Sequence, residues 1–184
     1  MYLIWVWVAL VAAAFNVSAP ELELVESIAH HNFSLYLPAI TELFVEEADL
    51  EDIWTELEVD PAQAAEIEAD AAEGKFSADI EDAHNRYQSI LNEVEWNDDT
   101  FGNPIATTNW VWYHGRVLSY DDLFAIKTSA HSESVEEYDR VIGDTGPVMI
   151  FYGDYTSDDF PLWLSNLVEN ANSGKLRFVW RYIV

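Results

Sequence analysis

The chain has 184 residues, no cysteine, and 34 acidic against eight basic side chains, giving a formal net charge of −26. This length suits one domain with its own core. The charge opposes binding to nucleic-acid phosphates and anionic membrane surfaces, and the lack of thiols excludes disulfides, thiolate metal sites, a cysteine nucleophile and a dithiol redox centre.

Residues 3–15 (LIWVWVALVAAAF) form an apolar run too short to span a bilayer comfortably. The run fits the core of a secretory signal peptide, with small residues at Val17-Ser18-Ala19 or Ala12-Ala13-Ala14 for cleavage. It lacks a basic start, since Lys75 is the first Lys or Arg, and a buried N-terminal strand or helix is the other reading. We expect a signal over residues 1–19 and no stable membrane insertion after cleavage. Asn16-Val17-Ser18 and Asn32-Phe33-Ser34 are glycosylation sequons, and Asn32 is the candidate acceptor in the mature chain.

From residue 20 to about 96 the pattern is helical and acidic. Leu22, Val25 and Ile28 repeat at helix spacing. Pro38 is expected to open a second helix with Ile40, Leu43 and Phe44 on one face. Leu50, Ile53, Trp54 and Leu57 make another stripe. Asp60-Pro61 reads as a cap followed by proline at the first helical position, with Gly74 as the stop. Ser77 starts the clearest helix, turning Ile80, Tyr87, Ile90, Leu91 and Val94 one way. No basic residue lies between Thr41 and Gly74, and the acidic residues that crowd that stretch read as a solvated outer face.

Residues 97–107 form a loop marked by Asp98-Asp99, Gly102 and Asn103-Pro104. A hairpin follows, with Trp110, Val111, Trp112 and Tyr113 as one strand, His114-Gly115 as the turn, and Val117-Leu118 as the return. Ser119 caps a short helix reaching Lys127, with Asp122 at the capping-box position. Residues 131–146 read as polar and exposed. Residues 147–152 (PVMIFY) form a strand buried on both faces. Thr156 or Ser157 caps the next helix, whose first turn holds Asp158 and Asp159, favourable at the positive end of its dipole. Phe160, Trp163, Leu164, Leu167, Val168 and Ala171 are its apolar stripe, Ser173-Gly174 its end, and residues 175–184 (KLRFVWRYIV) a second strand. Strand, helix, strand is a parallel crossover unit.

The closing segment resembles the end of the first thioredoxin-like domain of the UDP-glucose:glycoprotein glucosyltransferase family, the folding sensors of the endoplasmic reticulum. The resemblance rests on Phe151-Tyr152, Ser157-Asp158-Asp159-Phe160, Gly174-Lys175 and Phe178-Val179-Trp180-Arg181. The hairpin, the helix after it and the opening helix (PELELVESIA) fall in the family's order. The resemblance implies an α/β thioredoxin-like domain over residues 20–184, redox-inactive here, with an all-helical insertion at about 35–96. It implies residence in the endoplasmic-reticulum lumen and misfolded glycoproteins as partners. It also implies a much longer parent, whose distant C-terminal domain uses UDP-glucose and a divalent metal ion. The present chain would then be an N-terminal fragment that holds no cofactor and performs no catalysis itself. Family members often carry a cysteine pair around the hairpin, at places near Thr108 and Leu118 here. Divergent yeast relatives linked to cell-wall β-1,6-glucan also lack that pair, and this chain resembles them too.

The residues themselves carry little chemistry. The sequence has no Asp-x-Asp pair for a nucleotide-bound metal, and Asp98-Asp99, Asp121-Asp122 and Asp158-Asp159 read as turn and cap residues. His30, His31, His84, His114 and His131 lack metal-binding spacing. Trp54, Trp163 and Trp180 read as core. Trp110 and Trp112 share one face of the hairpin, where they either contact unfolded clients or pack against helices. The charge leaves two further readings: an acidic lumenal calcium buffer, and a secreted protein adapted to high salt.

Overall fold

A computed structural model of the chain describes residues 20–46, 48–93, 109–125 and 131–183. The expected signal segment, the Asn16 sequon, the loop at 97–107, Val94 and Lys127 lie outside the described residues. The elements are α1 (Pro20–His31), a 3-10 turn (Phe33–Leu35), α2 (Tyr36–Phe44), α3 (Leu50–Glu56), α4 (Pro61–Ala72), α5 (Ser77–Glu93), β1 (Asn109–Tyr113), β2 (Arg116–Leu118), α6 (Tyr120–Ala125), β3 (Val141–Ile142), β4 (Val148–Gly153), α7 (Phe160–Asn172) and β5 (Arg177–Tyr182).

The five strands form one sheet in the order β2-β1-β4-β5-β3. At its centre β4 and β5 run parallel, with Ile150 opposite Val179 and Phe151 opposite Trp180, joined by α7. On one side β1 pairs antiparallel with β4, Val111 facing Phe151, and carries β2 as a hairpin. On the other side β3 pairs antiparallel with β5.

Every residue of β4 is buried because both faces of the sheet are covered. Alternation along the strands sends Met149, Phe151, Phe178, Trp180 and Tyr182 to one face, packed with Leu22 and Val25 of α1, Ile40 of α2 and Phe160, Trp163 and Leu167 of α7. Ile150, Tyr152 and Val179 go to the opposite face with Trp110 and Val117. Phe76, just before α5, and Ile80 and Ala83 in its first half join the α1 cluster, and its second half (Tyr87, Ile90, Leu91) packs on that opposite face. The longest helix of the acidic region is thus also a layer over the sheet. Each large side chain so buried contributes about 1.5–3 kcal/mol. A third cluster of Ile28, Ala39 and Ile67 joins α1, α2 and α4, with Trp54, Leu57 and Val59 packed at its edge.

Local signals set several boundaries. Asp60 accepts a hydrogen bond from the Ala62 N–H at 2.9 Å with Pro61 next in line, and Gly74 ends the run at φ +67°. Ser119 and Asp122 form the reciprocal capping pair at the start of α6. Helix α2 starts at Tyr36, not Pro38, because proline is tolerated anywhere in the first turn.

Two expectations need correction. Residues 131–146 are not simply a polar exposed stretch: they include strand β3 and the buried carboxylate of Asp139. Neither Thr156 nor Ser157 caps α7, which begins only at Phe160 with Asp159 before it. Asp154 takes the local donors instead, accepting from the Thr156 N–H at 2.9 Å and hydroxyl at 2.6 Å, while the Ser157 hydroxyl donates to the Asp154 carbonyl at 2.7 Å. Asp158 and Asp159 therefore precede the helix.

Candidate functional site

The place where a parallel strand–helix–strand unit presents reactive groups is the turn after its first strand, where the helix dipole favours an anion. In this chain that turn is residues 154–159 (DYTSDD), between β4 and α7. Asn109, only 3% exposed at the start of β1, holds it. The Asn109 amide donates to Ser157 Oγ and to Asp159 Oδ1, each at 2.6 Å, and its carbonyl accepts from the Asp154 N–H at 2.9 Å. Asp159 also accepts from the Trp163 indole at 3.2 Å. Gly153 enters the turn under the Phe151 ring, where a β-carbon would lie 2.6 Å from ring carbons, and its carbonyl accepts from the Trp180 indole at 3.0 Å. Hydroxyls and carboxylates fill the turn, and hydrogen bonds within it, to Asn109 and to Trp163 hold it in place. It is a fixed structural element without a thiol, so the dithiol exchange of a redox thioredoxin has no nucleophile here.

A second polar centre lies at the far end of β5. Glu26 of α1, 3% exposed, accepts a hydrogen bond from the Tyr182 hydroxyl and pairs with Arg140 at 3.1 Å. Burial pushes the Glu26 carboxyl above the usual range, against the lowering effects of Tyr182 and Arg140. Burial and the Glu26 charge likewise hold Tyr36 and Tyr182 far above the ordinary tyrosine value. Beside them Arg181 is bidentate on Asp139 and also donates to the Tyr152 hydroxyl at 3.2 Å. These groups tie α1, β5 and the 138–140 segment together around no more than one water's space. That arrangement specifies packing and leaves no room for a substrate.

The remaining polar candidates scatter. His114 and His131 stack with ring centroids 4.4 Å apart, and Glu133 accepts from the His114 N–H at 2.5 Å and lies 3.0 Å from His131 Nε2. No sequence spacing announced this trio, because the hairpin turn brings it together. His31 pairs with Asp70 at 3.1 Å. Hydrogen bonds from Lys75 and His31 hold the Asp70 carboxyl below its usual range. Among the described residues, no group of three or more histidines and carboxylates is placed to hold a metal ion. Among them, too, no helix is long and apolar enough to cross a membrane.

The structure separates the two hairpin tryptophans. Trp110 is 1% exposed, stacked on Tyr152 at 4.4 Å beneath α5. Trp112, on the same face, is half-buried. Trp163 and Trp180 are core residues, while Trp54 is half-buried at the edge of the third cluster, beside an open groove between α3 and α4. Asn32 sits between α1 and the 3-10 turn, its Oδ1 accepting from the Ser34 N–H at 3.1 Å and hydroxyl at 2.7 Å.

A family model described as a thioredoxin-like domain matches residues 19–184. Among curated proteins, none matches the chain.

Proposed function

The chain belongs to this thioredoxin-like domain family, and from that membership we infer that it acts by binding and positioning other proteins, without making or breaking bonds. The observation that carries this reading is the turn at 154–159, which has no thiol and is fixed by Asn109. A thioredoxin-like framework without its reactive centre retains its surfaces as its working parts.

The more specific reading is a non-catalytic N-terminal domain of a protein of the UDP-glucose:glycoprotein glucosyltransferase kind. It supports recognition of misfolded glycoproteins in the endoplasmic-reticulum lumen, while a distant domain handles UDP-glucose and its metal. The resemblance of residues 147–184 supports this, as does the Asn32 sequon between two helical elements. Trp112 is the member of the hairpin pair a client can reach without displacing α5. The missing cysteine pair equally suits a divergent relative acting in fungal cell-wall β-1,6-glucan synthesis.

The test presents one glycoprotein in native and in misfolded form to the chain, together with UDP-glucose. Binding to the misfolded form without glucose transfer is the expected result; turnover of UDP-glucose by this chain alone overturns it. The charge of −26 favours a second reading, a lumenal calcium buffer. Calcium titration separates the two, since many weak sites support the buffer and a negligible heat removes it.

A further inference from the structure

The groove between α3 and α4 has a floor and a rim of opposite character. Trp54, Val59, Pro61, Ala64 and Ala65 supply apolar surface, and Glu51, Glu58 and Glu68 stand around it. All three glutamates are exposed, as is Ala65, so the groove opens to solvent. Its volume of about 670 Å³ is enough for one or two large side chains. Alanines at 64 and 65 keep the α4 wall low beside the Trp54 indole. That indole is already fixed: its Nε1–H donates to Glu68 Oε1 at 2.7 Å. A half-buried aromatic held in one orientation is a preorganised anchor, which loses little entropy when something lies against it.

We propose that this groove binds an extended polypeptide segment bearing an apolar side chain flanked by Lys or Arg. The charge argues for that occupant. Lys75 is the first lysine or arginine in the sequence, and acidic residues crowd the two helices around the groove. A second copy of the chain, itself at −26, would bring like charge to the rim. The first 19 residues of the chain are apolar but have no cationic side chain to meet the glutamates. The proposal rests on the binding role inferred above and names the partner chemistry for it.

The probe is a dye-labelled peptide of alternating leucine and lysine, followed by anisotropy against the whole chain. An alternating leucine–glutamate peptide and an alternating serine–lysine peptide serve as comparisons. Four variants are compared: Trp54→Ala; Trp54→Phe; the groove triple Glu51→Gln, Glu58→Gln, Glu68→Gln; and a distant triple Glu136→Gln, Glu137→Gln, Glu169→Gln with the same net charge as the groove triple. We expect the leucine–lysine peptide to bind, and Trp54→Ala and the groove triple each to weaken it about tenfold. The distant triple should change it less than about twofold, and Trp54→Phe, which keeps an aromatic anchor, should retain most of the affinity. Equal weakening by the two triples would show general attraction to an acidic surface and overturn the proposal. Unchanged affinity in Trp54→Ala would overturn it too. If misfolded glycoprotein binds the groove variants as well as the parent chain, the groove assignment fails while the binding role stands.

Discussion

Asp139 and Arg181 meet face to face in the core, with Arg181 Nε 2.9 Å from one carboxylate oxygen and Nη2 2.6 Å from the other. Their side chains are 1% and 3% exposed. Burial works to lower the Arg181 guanidinium, but the hydrogen bonds and charge of Asp139 and the contact with Tyr152 together more than offset it and hold the group above its ordinary value. The intrinsic basicity of a guanidinium keeps Arg181 charged even when its partner is neutral. Asp139→Asn should cost about 3–5 kcal/mol in urea unfolding, because it leaves a buried charge without a counter-ion. Replacing both residues with apolar ones of similar size should recover part of that loss. A cost below about 1 kcal/mol, as for a surface pair, would contradict the assignment.

Glu26 gives the chain a pH dependence of known sign. Burial raises its carboxyl in the folded state, while Tyr182 and Arg140 oppose the rise and Asp79 adds to it. The unfolded chain releases this proton first as pH increases. The folded state then holds more protons, and the Glu26 contribution to stability falls as pH rises from the ordinary glutamate value through the raised one. Glu26→Gln removes that fall. Unfolding free energies at intervals from about pH 4 to about pH 7 should show the parent losing ground to the variant with increasing pH. A difference that stays flat or moves the other way contradicts the buried Glu26 geometry.

Asn109 fixes the turn at 154–159 with two donated bonds and one accepted bond. Asn109→Asp keeps the shape but places a carboxylate against Asp159 and loses both donors. The expected cost is about 1–3 kcal/mol. Amide exchange should quicken at Asp154 and its neighbours while the β4–β5 pairing remains protected. Loss of protection across the whole sheet would show that Asn109 supports more than the turn.

Gly146 tests how closely the 143–147 segment lies against the start of β5. It holds φ +96°, and a β-carbon there would fall 2.8 Å from the backbone of Leu176. Backbone cannot yield as a side-chain tip can, so Gly146→Ala should lower the thermal midpoint by several degrees, corresponding to about 1–3 kcal/mol. Gly115→Ala is the comparison: its φ is similarly positive but no atom lies within 4 Å, so only the backbone cost of about 1 kcal/mol applies.

The parts legible in the sequence are those that short-range physics decides. The β4–α7–β5 unit announced itself by a continuous apolar run, a helical stripe and a second run. The hairpin showed in alternating aromatics around His114-Gly115, and the Asp60 and Ser119 caps in their neighbours. Strand β3 did not show, because Val141 and Ile142 are too few to make a pattern and are held by β5, dozens of residues away. The start of α7 is not legible in the sequence, because Asp154, Thr156 and Ser157 compete for the same donors and tertiary bonds to Asn109 decide the outcome. Asp139 with Arg181, Glu26 with Tyr182, and His114 with His131 are separated in sequence and met only on folding. The lack of thiol chemistry was plain from composition, whereas the Trp54 groove needed α3 and α4 side by side before its floor and rim could be seen.

Anisotropy of one labelled glycoprotein, titrated with the whole chain in its native and its misfolded form, tests the binding role most directly. The account predicts saturable binding to the misfolded form and at least about tenfold weaker binding to the native one. Equal affinity for the two forms, or none for either, would contradict it.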